Sequence, residues 1–497
     1  MNFLAICHFG IIVRRGRKSK MIICENHEIL REVSRRFNDE GTIILTTEYW
    51  SGKQYLKNNP SKDDIYYFYY DKEIWNMESR DSIIKLQNLL CEKEDYNTAK
   101  VYNEFLMLVT HLKGNSEWLY YPKEIQIEHT NKCNARCIMC GHYNVDKKYC
   151  TDISQPVFNA LEKFLPFCKH VGLHGYGEPF LTKNLIEYFK VYQKYNIRLY
   201  TNSNLSYISD EMLPYISELF DVINVSCDSP DERTYEYIRK GLSYKKFIEN
   251  IEKVKKNCPN VQLNLFAVLM SYNIDQIEDL IVFAHKYGFA SVSLTEMISL
   301  KENDNHLDTA EQYPMLRNIN LKKAIKKAKE LGVEFYYPYE GIDGCIGDVE
   351  HELDILEQRK SRMNTEQKIE IIHENNLLFS RQEINVEKLS DAKHSCKGIC
   401  DVFATQMYCS LDGNLALCCV DGFNYTENIM NINSAESYWN SRNVAAVRRC
   451  FEDGRLPRVC NNCNYIILDR LKSLKINDRS AYLQFVNSEG STNDEDI

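Results

Sequence analysis

Six short runs rich in β-branched and aromatic residues, 124–129, 170–174, 197–201, 222–227, 261–268 and 290–295, are each followed by a longer amphipathic stretch such as 184–195 or 274–287. This alternation is the pattern of βα units that build a parallel sheet. Crossovers between parallel strands are right-handed almost without exception, so six in succession curl the sheet one way. Eight units would close a barrel. Six leave it open at one side, where a bulky substrate can enter. A helix-like stretch, 321–331, and a strand-like one, 333–337, end the region. The expected fold class is α/β: a partial (β/α)6 TIM-like barrel over residues 119–338, flanked by a small N-terminal α/β domain and a small C-terminal cysteine-rich domain.

Residues 21–118 carry strand-like runs at 42–47 and 65–70 and a helical stretch at 99–112, with no phosphate-cradling glycine loop; the role of this α/β domain is open. Ahead of it, an apolar run at 3–13 precedes Arg14, Arg15, Arg17, Lys18 and Lys20. That order is the reverse of a secretory signal, and about eleven residues are too few to span a bilayer. Residues 1–20 are therefore expected to be a non-structural extension, with Met21 as the alternative start. The charged segment 339–395, with an amphipathic stretch near 349–362, reads as a helical connector or insertion. Residues 396–475 form a separate cysteine-rich unit with Gly413 in a turn, and the acidic tail 488–497 is expected to fray.

Nineteen cysteines in 497 residues is an odd and high number. Without an export signal it points to thiolate ligands in a reducing, cytoplasmic setting rather than to disulfides. A net charge of -9 removes the field that draws a chain to nucleic acid or an anionic membrane, and neither is expected as a partner. Eight of the cysteines fall within residues 396–463, a segment too short to have much core of its own and expected to be stapled by metal.

Cys133, Cys137 and Cys140 form CxxxCxxC in the segment Glu128-His129-Thr130-Asn131-Lys132-Cys133-Asn134-Ala135-Arg136-Cys137-Ile138-Met139-Cys140. Spacing alone also suits three ligands of a zinc site, or scattered buried cysteines. Position separates these readings. The triplet follows the first strand, Gly175-Tyr176-Gly177-Glu178-Pro179 follows the second, Thr201-Asn202-Ser203-Asn204 ends the third and Ser226-Cys227-Asp228 ends the fourth. In a parallel barrel these four lie on one rim, at the C-terminal ends of the strands, where such folds place their chemistry.

With these motifs in these places, the chain resembles the radical S-adenosylmethionine (radical SAM) enzymes over residues 124 to about 338. The resemblance implies a 4Fe-4S cluster on Cys133, Cys137 and Cys140, with the fourth iron open to the amino and carboxylate groups of S-adenosylmethionine. Reductive cleavage then yields a 5′-deoxyadenosyl radical that abstracts hydrogen from an unactivated carbon. It further implies that Gly175, Gly177 and Glu178 hold the methionine amino group, that Ser226 and Asp228 face ribose and carboxylate, and that Arg239 pairs with the methionine carboxylate. Met139 stands where many relatives carry an aromatic residue against the adenine.

The C-terminal segment resembles the SPASM and shorter twitch domains appended to some of these enzymes, in Cys400, Gly413, Cys418 and the CxxC of Cys460 and Cys463. No cysteine follows Cys463, so the resemblance implies one auxiliary 4Fe-4S cluster, on Cys400, Cys418, Cys460 and Cys463. Cys396, Cys409, Cys419 and Cys450 are left over and could replace an assigned ligand, and zinc suits four thiolates equally. A fully ligated second cluster would carry electrons, which implies a net oxidation. Its substrate is either a peptide that is cross-linked or oxidised in a side chain, or a small molecule such as a carbohydrate-derived alcohol. The implied electron donor is a flavodoxin or ferredoxin, and Glu296, at the end of strand six, is a candidate base. A reading of another class, a non-catalytic iron-sulfur or zinc scaffold or electron carrier, leaves the motifs after strands two to four without a purpose.

Overall fold

The computed structural model describes residues 4–6, 11–15, 42–46, 65–69, 87–88, 90–113, 118–142, 145–297, 308–337, 348–361, 363, 401–418 and 426–452. They fall into two units, one drawing on Met1–Glu124, Leu161–Lys169 and Ile432–Arg448, the other on Ile125–Ala160, His170–Asn431 and Arg449–Ile497.

In the first unit, β1 (Leu4–Ile6), β2 (Ile11–Arg15), β3 (Thr42–Thr46) and β4 (Ile65–Tyr69) form an antiparallel sheet in the order β1-β2-β4-β3. The first 20 residues, expected to lie outside the fold, thus supply two of its strands. The run Ile11, Ile12 and Val13 is strand-forming in any context, and pairing with β1 and β4 gives its backbone groups partners. The helix Tyr96–Lys113 matches the stretch expected at 99–112. The unit also recruits residues from far along the chain. The Arg448 guanidinium lies 3.7 Å from the Trp118 ring centroid, and the Asn440 amide exchanges hydrogen bonds with the Trp118 backbone at 3.0 and 3.2 Å. Lys169 meets the buried Glu104 carboxylate at 2.6 Å. Beside Met1–Glu124, this unit also holds Leu161–Lys169 and Ile432–Arg448, residues assigned by sequence to the barrel and to the cysteine-rich domain.

The second unit is built on a ten-stranded sheet. Its strands β5 (Glu124–Ile127), β6 (His170–Gly172), β7 (Arg198–Ser203), β8 (Phe220–Ser226), β9 (Gln262–Leu269) and β10 (Ser291–Glu296) are the six expected runs. β11 (Glu334–Tyr336) adds the run at 333–337, and β6 to β11 pair in sequence, all parallel. Intervening helices bury one stripe each: Tyr244–Asn257 buries Phe247, Ile251 and Val254, and its Ser243 side chain caps the first turn by accepting from Lys246 N–H. One face of the strands is apolar and buried, with Leu199, Ile223, Val225, Leu263, Leu265, Val292 and Leu294. On the other face, residues in register form a row of amides. Asn224 donates to Asn202 at 2.8 Å, Asn264 to Asn224 at 3.2 Å and Gln262 to Asn264 at 2.9 Å. A closed barrel fills that face with branched aliphatic side chains.

Part of the segment expected as a cysteine-rich domain extends this sheet. β12 (Gln406–Cys409), β13 (Asn414–Ala416) and β14 (Glu427–Asn428) form an antiparallel meander beside β5, where Glu128 N–H donates to the Cys409 carbonyl at 3.0 Å. An open barrel leaves β5 as an edge, and the meander covers it. Gly413 makes the turn with φ +81°, as its place in the sequence suggested. In the connector, the helix Val349–Ser361 offers its Glu352 carboxylate to the N–H groups of Met315 and Leu316, at 3.1 and 2.9 Å, at the start of helix Pro314–Leu331.

His129, one residue beyond the β5 carboxylate, is 2% exposed. Its Nε2 lies 2.7 Å from the Tyr192 hydroxyl and its Nδ1 3.3 Å from the Ile127 carbonyl, which fits a neutral ring protonated at Nδ1. Burial pushes its pKa down to about 4. Between that value and the ordinary one near 6.5 the unfolded chain binds the extra proton, so stability contributed here is lost as pH falls through the window. Urea midpoints should drop from pH 6.5 to 4, by up to about 1.4 kcal/mol per pH unit, and the His129→Gln variant should show a shallower slope. Equal slopes would remove His129 as the cause.

Candidate functional site

The loop that carries Cys133, Cys137 and Cys140 leaves β5 and is tied shut at its base. Thr151 N–H donates to Asn131 Oδ1 at 2.6 Å, Ile153 N–H to the His129 carbonyl at 2.7 Å, and Lys132 pairs with Asp152 at 2.6 Å. Its far side is held by the segment after helix Glu232–Ile238: Arg136 N–H donates to the Lys240 carbonyl at 2.7 Å and Ile138 N–H to the Ile238 carbonyl at 3.0 Å. All three thiols are half-buried. Burial pushes them up, Cys133 to about 11 and Cys137 to about 12, so without metal they are protonated.

N–H donors nevertheless face each sulfur. Ala135 N–H reaches Cys133 Sγ at 3.4 Å and Asn204 Nδ2 reaches it at 3.9 Å; His142 N–H reaches Cys140 Sγ at 3.4 Å; Arg239 Nη1 reaches Cys137 Sγ at 3.8 Å. Such donors do little for a neutral thiol and much for a thiolate. A cubane gives each cysteine its own iron. The donor set fits a 4Fe-4S cluster.

The loop after β6 lies directly against the cysteine loop. Glu178 N–H donates to the Lys132 carbonyl at 2.8 Å, and a Cβ on Gly177 would stand 2.2 Å from the Thr130 carbonyl oxygen. Only glycine permits that approach. Gly175 is exposed and abuts the side chain of Glu128, whose Oε1 accepts from Tyr176 N–H at 2.8 Å. Glu128, a buried carboxylate at the end of an apolar strand, thereby joins β5 to the glycine loop. Sequence reading passed over it; its signal was a charge where the strand pattern should have continued.

Glu178 is 3% exposed, and its carboxylate is turned toward the end of β7. Ser203 Oγ donates to Oε1 at 2.6 Å and Asn204 N–H to Oε2 at 2.7 Å, while burial pushes its pKa to about 7. It braces two loops. Asp228, expected to face ribose, is fully buried: Oδ1 accepts from Val268 N–H at 2.8 Å and Oδ2 stands 2.8 Å from Arg239 Nε. Asp228 lies two residues past the end of β8. Arg239 is itself buried and spans Asp228 and Cys137. Ser226 is half-buried on the face that carries Asn224. Met139 packs against the apolar wall of Ile238, Met270, Tyr272 and Met297. Glu296, the candidate base at the end of strand six, pairs with Arg317 at 3.0 Å and accepts from Tyr337 OH.

In the C-terminal segment Cys418 is half-buried just past β13, and Cys409 and Cys450 are buried. Cys400, Cys460, Cys463, Cys396 and Cys419 lie outside the described residues. No described helix is long and apolar enough to cross a membrane.

Residues 127–284 match the model of the radical SAM superfamily. A probable GTP 3′,8-cyclase of Methanocaldococcus jannaschii is 28% identical over 45% of this chain and 79% of its own length. The GTP 3′,8-cyclase of Clostridium perfringens is 25% identical over 46% of this chain and 73% of its own. The crystal structure of Streptococcus suis SuiB bound to S-adenosylmethionine superposes with a TM-score of 0.46 at 13% identity, over 68% of this chain and 70% of SuiB. The three-cysteine loop, the glycine loop and the parallel strands that present them belong to one domain, and residues 127–284 of this chain are a radical SAM domain.

Proposed function

We propose that Cys133, Cys137 and Cys140 hold the 4Fe-4S cluster that this family implies, and that the enzyme uses it to cleave S-adenosylmethionine and oxidise a substrate. The observation that carries this reading is the set of N–H donors aimed at three sulfurs on a loop locked to a glycine-rich neighbour. When bound, the cluster supplies the electron that breaks the sulfonium, giving a 5′-deoxyadenosyl radical. The chain's own residues position the cofactor. The exposed backbone at Gly175 and the half-buried Gly177 offer carbonyl groups to the methionine amino group, Ser226 offers a hydroxyl, and Met139 with its wall offers an apolar surface to the purine. Glu178, Asp228 and Arg239 act behind these contacts, holding the loops.

For the second site the reading is one auxiliary 4Fe-4S cluster on Cys400, Cys418, Cys460 and Cys463, serving electron transfer during a net oxidation, with a flavodoxin or ferredoxin as the reductant. The half-exposed amide row of Asn202, Asn224 and Asn264 supports a polar, hydrogen-bonding substrate, either a peptide or a carbohydrate-derived alcohol. Anaerobic reconstitution followed by dithionite and S-adenosylmethionine tests the proposal. The expected result is 5′-deoxyadenosine, with iron near eight per chain for two clusters. Absence of 5′-deoxyadenosine from iron-loaded protein overturns the reading, and bound zinc in place of the second set of irons removes the electron-transfer role.

A further inference from the structure

We infer that Arg239 is a positioning residue that sets the reduction potential of the cluster, by holding a cation against the sulfur of Cys137, with Asp228 as the counter-charge that limits its effect. This rests on the reading of Cys137 as a ligand.

The backbone leaves Arg239 little choice of place. Hydrogen bonds from Arg136 N–H to Lys240 and from Ile138 N–H to Ile238 bracket residues 137 and 239 and set them opposite one another. The Arg239 side chain is 7% exposed and Asp228 is 0% exposed. The guanidinium reaches past the carboxylate: Nε lies 2.8 Å from Asp228 Oδ2, while Nη1, at the other end of the fork, lies 3.8 Å from Cys137 Sγ. A planar fork can touch both at once; an ammonium is a point charge and cannot. Asp228 is fixed in turn, since Val268 N–H donates to its Oδ1 and the Asn273 amide bridges the Asp228 and Val268 carbonyls at 2.8 and 2.9 Å. Asp228 thus fixes the guanidinium, and the guanidinium faces the Cys137 sulfur.

One-electron reduction adds a negative charge to the cluster and its thiolates, with no proton required. A buried cation beside one thiolate favours that added charge, and the effect is large where water does not screen it. The buried carboxylate acts against it. The two residues are partners in structure and opponents in electrostatics, and this sets them apart from an ordinary structural ion pair.

The test uses the full chain, reconstituted anaerobically, as wild type, Arg239→Gln, Arg239→Lys and Asp228→Asn. Iron and sulfide are quantified first, and the cluster is then titrated with dithionite under EPR without S-adenosylmethionine. At the wild-type midpoint the reduced-to-oxidised ratio should fall about tenfold in Arg239→Gln, a shift of about 59 mV for a one-electron couple. It should rise in Asp228→Asn, and Arg239→Lys should lie between wild type and Arg239→Gln. Unchanged midpoints, or shifts of one sign in both Arg239→Gln and Asp228→Asn with iron intact, overturn the inference. If Arg239→Gln fails to fold, Arg239→Lys and Asp228→Asn still decide by their opposite signs. A wild-type chain that takes up no iron overturns the ligand assignment itself, a failure seen before any potential is measured.

Discussion

A single Cys137→Ala substitution reduces 5′-deoxyadenosine formation to background and lowers bound iron by about four per chain. The argument lies in the arithmetic of ligands. The CxxxCxxC triplet supplies three thiolates, and Cys150, the fourth thiol of the loop, lies 3.6 Å from His142 Nε2 instead. Loss of Cys137 also removes the sulfur that Arg239 Nη1 faces at 3.8 Å, while the ion pair of Arg239 with Asp228 remains. The contrasting variant is Cys418→Ala, which should keep cleavage of S-adenosylmethionine and lose iron only from the second site. Iron analysis and chromatography of the adenosine product check both, and full activity in Cys137→Ala would end the assignment.

The second large effect belongs to Gly177. A methyl group there meets only backbone: the Thr130 carbonyl oxygen at 2.2 Å, its carbon at 2.7 Å and the Lys132 carbonyl oxygen at 2.8 Å. Neither loop can move without breaking the bond from Glu178 N–H to Lys132 and the brace from Glu178 to Ser203 and Asn204. Overpacking of this kind costs about 1–3 kcal/mol or more. Gly177→Ala should weaken S-adenosylmethionine binding by at least about tenfold, equal to about 1.4 kcal/mol, while the iron remains. Gly175→Ala meets only the Glu128 side chain, at 2.6 Å, which can rotate at the cost of its bond to Tyr176 N–H. Its loss should be smaller. Equilibrium binding of S-adenosylmethionine to the two reconstituted variants decides, and a reversed order would show that the clash is relieved in some other way.

The parallel strands β5 to β10 were legible in the chain because a buried strand advertises itself: short apolar runs of β-branched residues admit few other structures. The cysteine triplet and the glycine loop were legible for a similar reason, since ligand spacing and close approach each demand one residue type. What eluded sequence reading was which buried charge meets which. Asp228 and Arg239 both stood out as site residues, yet nothing in their spacing tells that they face each other and Cys137. Glu178 looks the same in sequence whether it grips an amino group or braces Ser203. Glu296 stood out as a candidate base only by its place at the end of strand six, and its ion pair with Arg317 in a later helix leaves no mark in the sequence.

The amino-acid order determined the periodic units, their sequence along the sheet and the thiol loop after the first of them, because these depend on neighbours within a few residues. Tertiary structure alone decided that β12 to β14 cover the β5 edge, that Trp118 and Arg448 share one unit, and that a guanidinium reaches the sulfur of Cys137. Edge pairing and buried charge pairing are long-range: their free energy appears only once distant segments have met and water has left, and no local pattern records it.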